Sequence, residues 1–172
     1  MRITFIKISK FLLQLLITNI LILGIFYYWF SDDISVLKNK QLLFGLIMLI
    51  IIFHLPQFIV LFNHYYYNKN TSMDYENDKL NIIDIEKKIE VNKNNIISWQ
   101  LVGTASKSKK SSIKFTLIDD LFYIKVILKN EDSPIILTSL LYPKIDKLFE
   151  ELFESFRIEN KISSFPLIKK SI

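Results

Sequence analysis

FLLQLLITNILILGIFYYWF (Phe11–Phe30) and QLLFGLIMLIIIFHLPQFIVLFNHYYYN (Gln41–Asn68) contain no Asp, Glu, Lys or Arg. An α-helix rises 1.5 Å per residue, so about 20 mostly apolar residues cross the hydrocarbon core of a bilayer. Both stretches reach that length. The chain therefore reads as a two-helix membrane hairpin followed by roughly 100 residues of different character, enough for one small core.

Aromatic clusters mark the ends of the hairpin. Tyr27, Tyr28 and Trp29 close the first span, 11–30, and Tyr65, Tyr66 and Tyr67 close the second, 42–67, as interfacial belts. A secretory signal has an apolar core of only ~7–15 residues before small residues at a cleavage site. The first run is longer and ends in aromatics, which favours a retained helix. Arg2, Lys7 and Lys10 lie in the flank 1–10 with no acid, whereas the connector 31–41 sets Lys38 and Lys40 beside Asp32 and Asp33. The positive-inside rule then puts both termini in the cytoplasm. With 30 Ile, abundant Asn and Lys, and Ala105 as the single alanine, the composition fits an AT-rich bacterial genome. The expectation is a multi-pass protein of a bacterial inner membrane.

Gln14, Asn19 and His54 are polar residues inside the spans. In an antiparallel hairpin Asn19 and His54 fall at similar depth. Two helices enclose no pore and neither span holds an acid, so an interhelical hydrogen bond is a better reading than an ion path. Pro56 should kink the second span, and the backbone carbonyl it frees is a partner for His54.

Beyond the hairpin the hydropathy period becomes two. Met73 and Tyr75, Leu80 and Ile82, Ile89 and Val91, Ile96–Val102, Ile113–Leu117, Phe122–Leu128 and Pro134–Leu141 read as seven short strands with polar breaks between them. The period then changes to 3.6. Ile145, Leu148, Phe149, Leu152, Phe153 and Phe156 share one helical face, and Pro143 suits a first turn. Such a helix must cover an apolar sheet. The expected fold is a membrane α-hairpin plus an α+β domain, 72–156, with a basic tail, 157–172.

Seven strands and a closing amphipathic helix resemble the bacterial pleckstrin-homology-like (PH-like) domains found behind one or two membrane spans. The points of resemblance are Asn95-Ile96-Ile97-Ser98-Trp99, the hairpin Leu121–Leu137, and Ile136–Leu141 leading into the helix. The resemblance implies a seven-stranded antiparallel barrel or sheet capped by the helix, and a binding scaffold rather than a defined activity. Relatives that hold phosphoinositides cluster basic residues at the first strand–strand turn. The matching turn here, Asn77-Asp78-Lys79 after Glu76, departs from that pattern.

No constellation for catalysis, cofactor or metal stands out. The chain has no Cys, two His and only three Gly, which removes thiolate chemistry and glycine-rich phosphate loops. Asp119-Asp120 and Glu131-Asp132 fall at turns, where carboxylates serve turn chemistry. Trp99 reads as core. His64 sits at the membrane boundary without a second ligand nearby. Lys107, Lys109 and Lys110, set among hydroxyls in Thr104–Ser112, are the candidate contact for anionic lipid or a partner, against the plainer reading of a solvated loop. The tail, with Arg157, Lys161, Lys169, Lys170 and Phe165-Pro166-Leu167-Ile168, reads as a docking peptide or a free end.

The expectation is a non-enzymatic membrane protein without cofactor. Lipids contact its hairpin, and its cytoplasmic PH-like domain binds an unknown protein or a second copy of itself. Two alternatives are a membrane-tethered LytTR-type transcription regulator and an accessory subunit of a transport or secretion complex. Residues 69–172 carry 17 basic against 15 acidic side chains, and that near-balance disfavours nucleic acid.

Overall fold

Two long helices lead into two small sheets that share a core with one short helix. The structure is a computed structural model and describes residues 1–3, 5–30, 39–76, 79–85, 87–109 and 117–169. Helix α1 spans Phe5–Phe30 and α2 spans Lys40–Asn68. Asn39 caps α2 by accepting from the amides of Gln41 and Leu42. Both helices are long and apolar enough to cross a membrane. Residues 31–38 of the connector, Asn77-Asp78 of the first turn and Lys110 lie outside the described residues, as does the strand expected at Ile113–Leu117 except for Leu117.

Strands β1 (Thr71–Glu76), β2 (Lys79–Asp84) and β3 (Lys87–Val91) form an antiparallel sheet in that order. Strands β4 (Ile96–Gly103), β5 (Tyr123–Leu128), β6 (Ile135–Thr138) and β7 (Lys161–Ile162) form the second, in the order β6-β5-β4-β7. The expected seven-stranded barrel is not what forms. The sheets have three and four strands, and neither closes. The chain leaves the first sheet through a side-chain-bonded turn at Asn92–Asn95. There Asn92 Oδ1 accepts from the Asn94 and Asn95 amides at 2.9 and 3.1 Å, and Asn95 Oδ1 accepts from the Asn92 amide at 2.9 Å. Amides spent on such a turn cannot extend a β3–β4 ladder. Leu117 opens a 3-10 turn, Leu117–Asp120, rather than ending a strand. The tail supplies β7 in its place, paired in parallel with β4.

The core lies between the sheets. Met73, Leu80, Ile82 and Val91 face Trp99, Leu101, Ile124, Val126 and Leu137, all nearly inaccessible. Helix α4 (Ile145–Phe153; α3 is the single turn Ala105–Ser108) inserts Ile145, Phe149, Leu152 and Phe153 into that space. The helix begins two residues after Pro143, with Lys144 at its cap. Trp99 meets Phe149 edge-on, ring centroids 5.6 Å apart, and its Nε1–H donates to the Phe153 carbonyl at 2.7 Å. The bond satisfies the indole's only donor, which is why so large an aromatic can be fully buried.

A second cluster joins the helices to the sheets. Phe11 and Leu15 of α1 and Val60 and Leu61 of α2 pack on Leu121 and Leu140. The joint is also polar. Asn68, in the last turn of α2, accepts from the Thr138 amide at 2.8 Å and donates to the Ile136 carbonyl at 3.0 Å. One carboxamide thus acts as a neighbouring strand to the free edge of β6. Replacing Asn68 with Ala leaves a buried amide and carbonyl unpaired and should cost about 2–3 kcal/mol, measured by thermal unfolding of the detergent-solubilised chain.

Candidate partner-binding surfaces

Each sheet edge is a row of main-chain donors and acceptors, so the position of a binding surface depends on which edges are already occupied. The outer edge of β1 is taken by the N-terminus. The Met73 amide donates to the Met1 carbonyl at 2.8 Å, the Met1 amino group donates to the Met73 carbonyl, and Arg2 bridges to Ser72. Asn68 occupies β6. The edge of β4 is covered by Arg157–Ser163, through the Ile158 amide on the Trp99 carbonyl at 3.0 Å and the Ser163 amide on the Gly103 carbonyl at 2.9 Å. Among the described residues no strand pairs with the outer edge of β3, where the Asn95 carboxamide takes the Glu90 carbonyl at 2.6 Å and the Lys88 end is left without a strand partner.

The β2–β3 corner beside that open edge is apolar and unusual. Ile83 points away from the core by strand alternation, and Ile85 at the turn is 72% exposed. Ile85 also has φ of 56°, a left-handed conformation that a β-branched side chain adopts only at a cost. Packing does not offset that cost, because the side chain is out in solvent.

The lysines of the Thr104–Ser112 segment take different positions. Lys107 is folded inward. Its ammonium lies 2.7 Å from Asp146 Oδ2 in the first turn of α4 and 3.9 Å from the centre of the Phe122 ring. Gly103 permits this, since a Cβ there would sit 3.2 Å from Phe122 Cβ and 3.3 Å from Lys107 Cγ. Lys107 is therefore an internal tie between α3 and α4. Lys109 is exposed and Lys110 lies outside the described residues. Asp119 is likewise structural, accepting from the Thr104 hydroxyl at 2.5 Å.

Asn19 and His54 are brought together, with His54 Nε2 2.8 Å from Asn19 Oδ1. The Asn19 amide nitrogen is spent on the Leu15 carbonyl at 3.0 Å, so its oxygen faces the imidazole and Nε2–H is the donor. His54 therefore does not use a carbonyl freed by Pro56. In that turn it is Gln57 that donates to the backbone, at the Phe53 carbonyl, 3.1 Å.

The sequence reading missed what holds the tail. His64 Nε2–H donates to the Pro166 carbonyl at 2.8 Å, and Asn63 both accepts from the Ile168 amide at 2.8 Å and donates to its carbonyl at 3.2 Å. Pro166 and Ile168 are buried as a result. The signal was present. Gln57, Val60, Leu61, His64 and Asn68 recur at helical spacing and form the buried face of α2. Polar residues on that stripe mark protein contact rather than lipid.

Among the described residues no three His, Asp or Glu side chains converge as a metal site would require. Two sheets around a shared core, closed by a helix and with most edges occupied by the chain itself, make a scaffold that displays surfaces. A family model described as PH domain matches residues 2–147, a span that holds both long helices, β1–β6 and the start of α4. The chain belongs to the PH domain family. No curated protein and no solved structure matches it.

The two described lysines should separate on substitution. Lys107→Met removes the ion pair and the ring contact and should cost about 1–2 kcal/mol. Lys109→Met should stay within ~0.5 kcal/mol. Chemical denaturation of the full chain measures both.

Proposed function

We propose that this chain is a non-enzymatic, membrane-anchored binding module whose PH-like domain recruits an extended segment of a protein partner at the open edge of β3. The observation that carries this reading is the contrast between edges. The chain covers β1, β4 and β6 with its own residues, whereas among the described residues β3 has no strand partner, only the Asn95 carboxamide on its Glu90 carbonyl, and its Lys88 end lies beside the exposed Ile83 and Ile85. An extended peptide added to β3 would gain main-chain hydrogen bonds from the strand and apolar contact from the corner. A second copy pairing through its own β3 is the assembly form of the same contact.

The membrane reading rests on α1 and α2. Between them they expose Leu13, Ile17, Ile20, Leu21, Leu49 and Ile52, which water would not tolerate in such number. Contact with the sheets covers α1 up to Leu15 and α2 from Gln57. The uncovered lengths, Leu16–Phe30 and Lys40–Pro56, are about 15 and 17 residues, or roughly 22–26 Å of helix. That is slightly short of the hydrocarbon core. On this reading the face of the domain nearest the helices meets the interfacial layer, and the basic flank supports a cytoplasmic domain.

A photo-cross-linking residue at position 88, on exposed β3, should capture one defined protein or a second copy in intact membranes. The same probe at position 147, on the exposed face of α4, should not. Equal capture at the two positions, or capture only at 147, would contradict the β3 reading. Release of the chain by alkaline carbonate would contradict the anchor.

A further inference from the structure

The outer face of the four-stranded sheet is not open to solvent. Strand register places Gln100 opposite Lys125 and Lys125 opposite Ile136, and in the next row Val102 opposite Tyr123 on one side and Lys161 on the other. These side chains form the floor of a groove of about 750 Å³. The tail from Ser163 to Lys169, pinned to α2 through Asn63 and His64, forms one wall, and Tyr67 at the end of α2 contributes to another. The size is that of a small-molecule site.

The chemistry of the lining is one-sided. Lys125, Lys161 and Lys169 come from three different elements, and no acidic side chain lines the groove among the described residues. Tyr123 adds a hydroxyl donor, the Ser163 hydroxyl being spent on the Phe165 carbonyl at 2.7 Å, and Tyr67 Oη is buried with no hydrogen-bond partner among the described residues. Burial raises the Tyr123 phenol above its ordinary pKa, so it stays a neutral donor. Like charges gathered without a counter-charge repel one another and favour an anion between them.

A second feature indicates what kind of anion. An apolar trough of about 640 Å³ runs along α2 past Gly45, Met48, Ile52 and Pro56. Phe165 lines both the trough and the basic groove, so the two spaces share a wall where the tail crosses α2. A free phosphate would use only the groove. An anionic amphiphile would use both, with its head among the lysines and a chain along the helix.

We propose that this composite site holds an anionic phospholipid, the headgroup bound by Lys125, Lys161 and Lys169 and an acyl chain lying against α2 beneath Phe165. The proposal rests on the membrane reading of the hairpin, but not on the β3 edge.

The test uses the full-length chain in neutral detergent and measures retention of phosphatidylglycerol against phosphatidylcholine by native mass spectrometry. Phosphatidylglycerol should be held preferentially, and each Lys→Gln change at 125, 161 or 169 should weaken retention about fivefold, the ordinary contribution of one lysine near anionic lipid. Lys93→Gln, Lys144→Gln and Lys147→Gln together remove three positive charges from exposed positions, more than any single test variant, and should leave retention unchanged. Lys169→Gln alone lies on the exposed tail and is informative even if substitution within the sheet perturbs folding. Equal retention of the two lipids, or equal loss in the control variant, would overturn the site. Stabilisation by inorganic phosphate equal to that by phosphatidylglycerol would overturn the lipid assignment. Membrane insertion is read separately by carbonate extraction. Loss of insertion would overturn the anchor, whereas intact insertion without lipid preference would overturn the site alone.

Discussion

Three polar side chains in the last two turns of α2 hold this molecule together. Asn63, His64 and Asn68 each bond to main chain from a distant part of the sequence, at Ile168, Pro166 and β6 respectively. A helix end normally leaves four carbonyls and a flexible exit. Here the same turns are committed to the sheet domain, and β1 starts at Thr71 with only Lys69 and Asn70 between. The hairpin and the domain therefore behave as one body. Thr71 extends the joint, its hydroxyl donating to Asp84 Oδ1 at 3.0 Å while accepting from the Asn68 amide at 3.3 Å.

That constraint explains the tail and the edges. Once Asn63 and His64 fix Pro166–Ile168, the chain from Arg157 must run beside β4, and it does so with its own anchors. Arg157 reaches Glu150 at 2.5 Å and lies over the Trp99 ring, while Gln100 donates to the Glu159 carbonyl at 2.8 Å. Covering β4 in this way removes one edge from circulation, so that among the described residues β3 is left without a strand partner. The same tail roofs the outer face of the second sheet. One short segment thus both closes the β4 edge and turns one face of the second sheet into a groove.

Much of this was legible in the sequence. The charge-free runs located α1 and α2 to within a few residues, and period-two alternation located β1–β5 because each of those strands buries one face. The helix α4 was legible from Ile145, Phe149, Leu152 and Phe153. Four things were not. A barrel was expected from strand number, but strand number says nothing about which strands pair, and the Asn92–Asn95 turn breaks the ladder by side-chain bonding that hydropathy does not see. Strand β7 has only two residues, both exposed, so no alternation marks it. Lys107 looked like a loop charge because its partner Asp146 lies far along the chain, and proximity of that kind is set by tertiary packing. The role of His64 was hidden for the same reason, although its position on the buried stripe of α2 with Gln57 and Asn68 was readable.

The central claim is that α2 and the sheet domain are rigidly joined, and inter-probe distance in the full chain tests it most directly. The chain has no cysteine, so Phe44→Cys on the far end of α2 and Asn130→Cys on the β5–β6 hairpin give two unique spin-label sites. Pulsed electron–electron spectroscopy in lipid nanodiscs should return one narrow distance distribution, which broadens when Asn63, His64 and Asn68 are replaced by Ala. A broad distribution in the unsubstituted chain would show a domain that swings on a hinge at Lys69–Asn70, and would contradict the account.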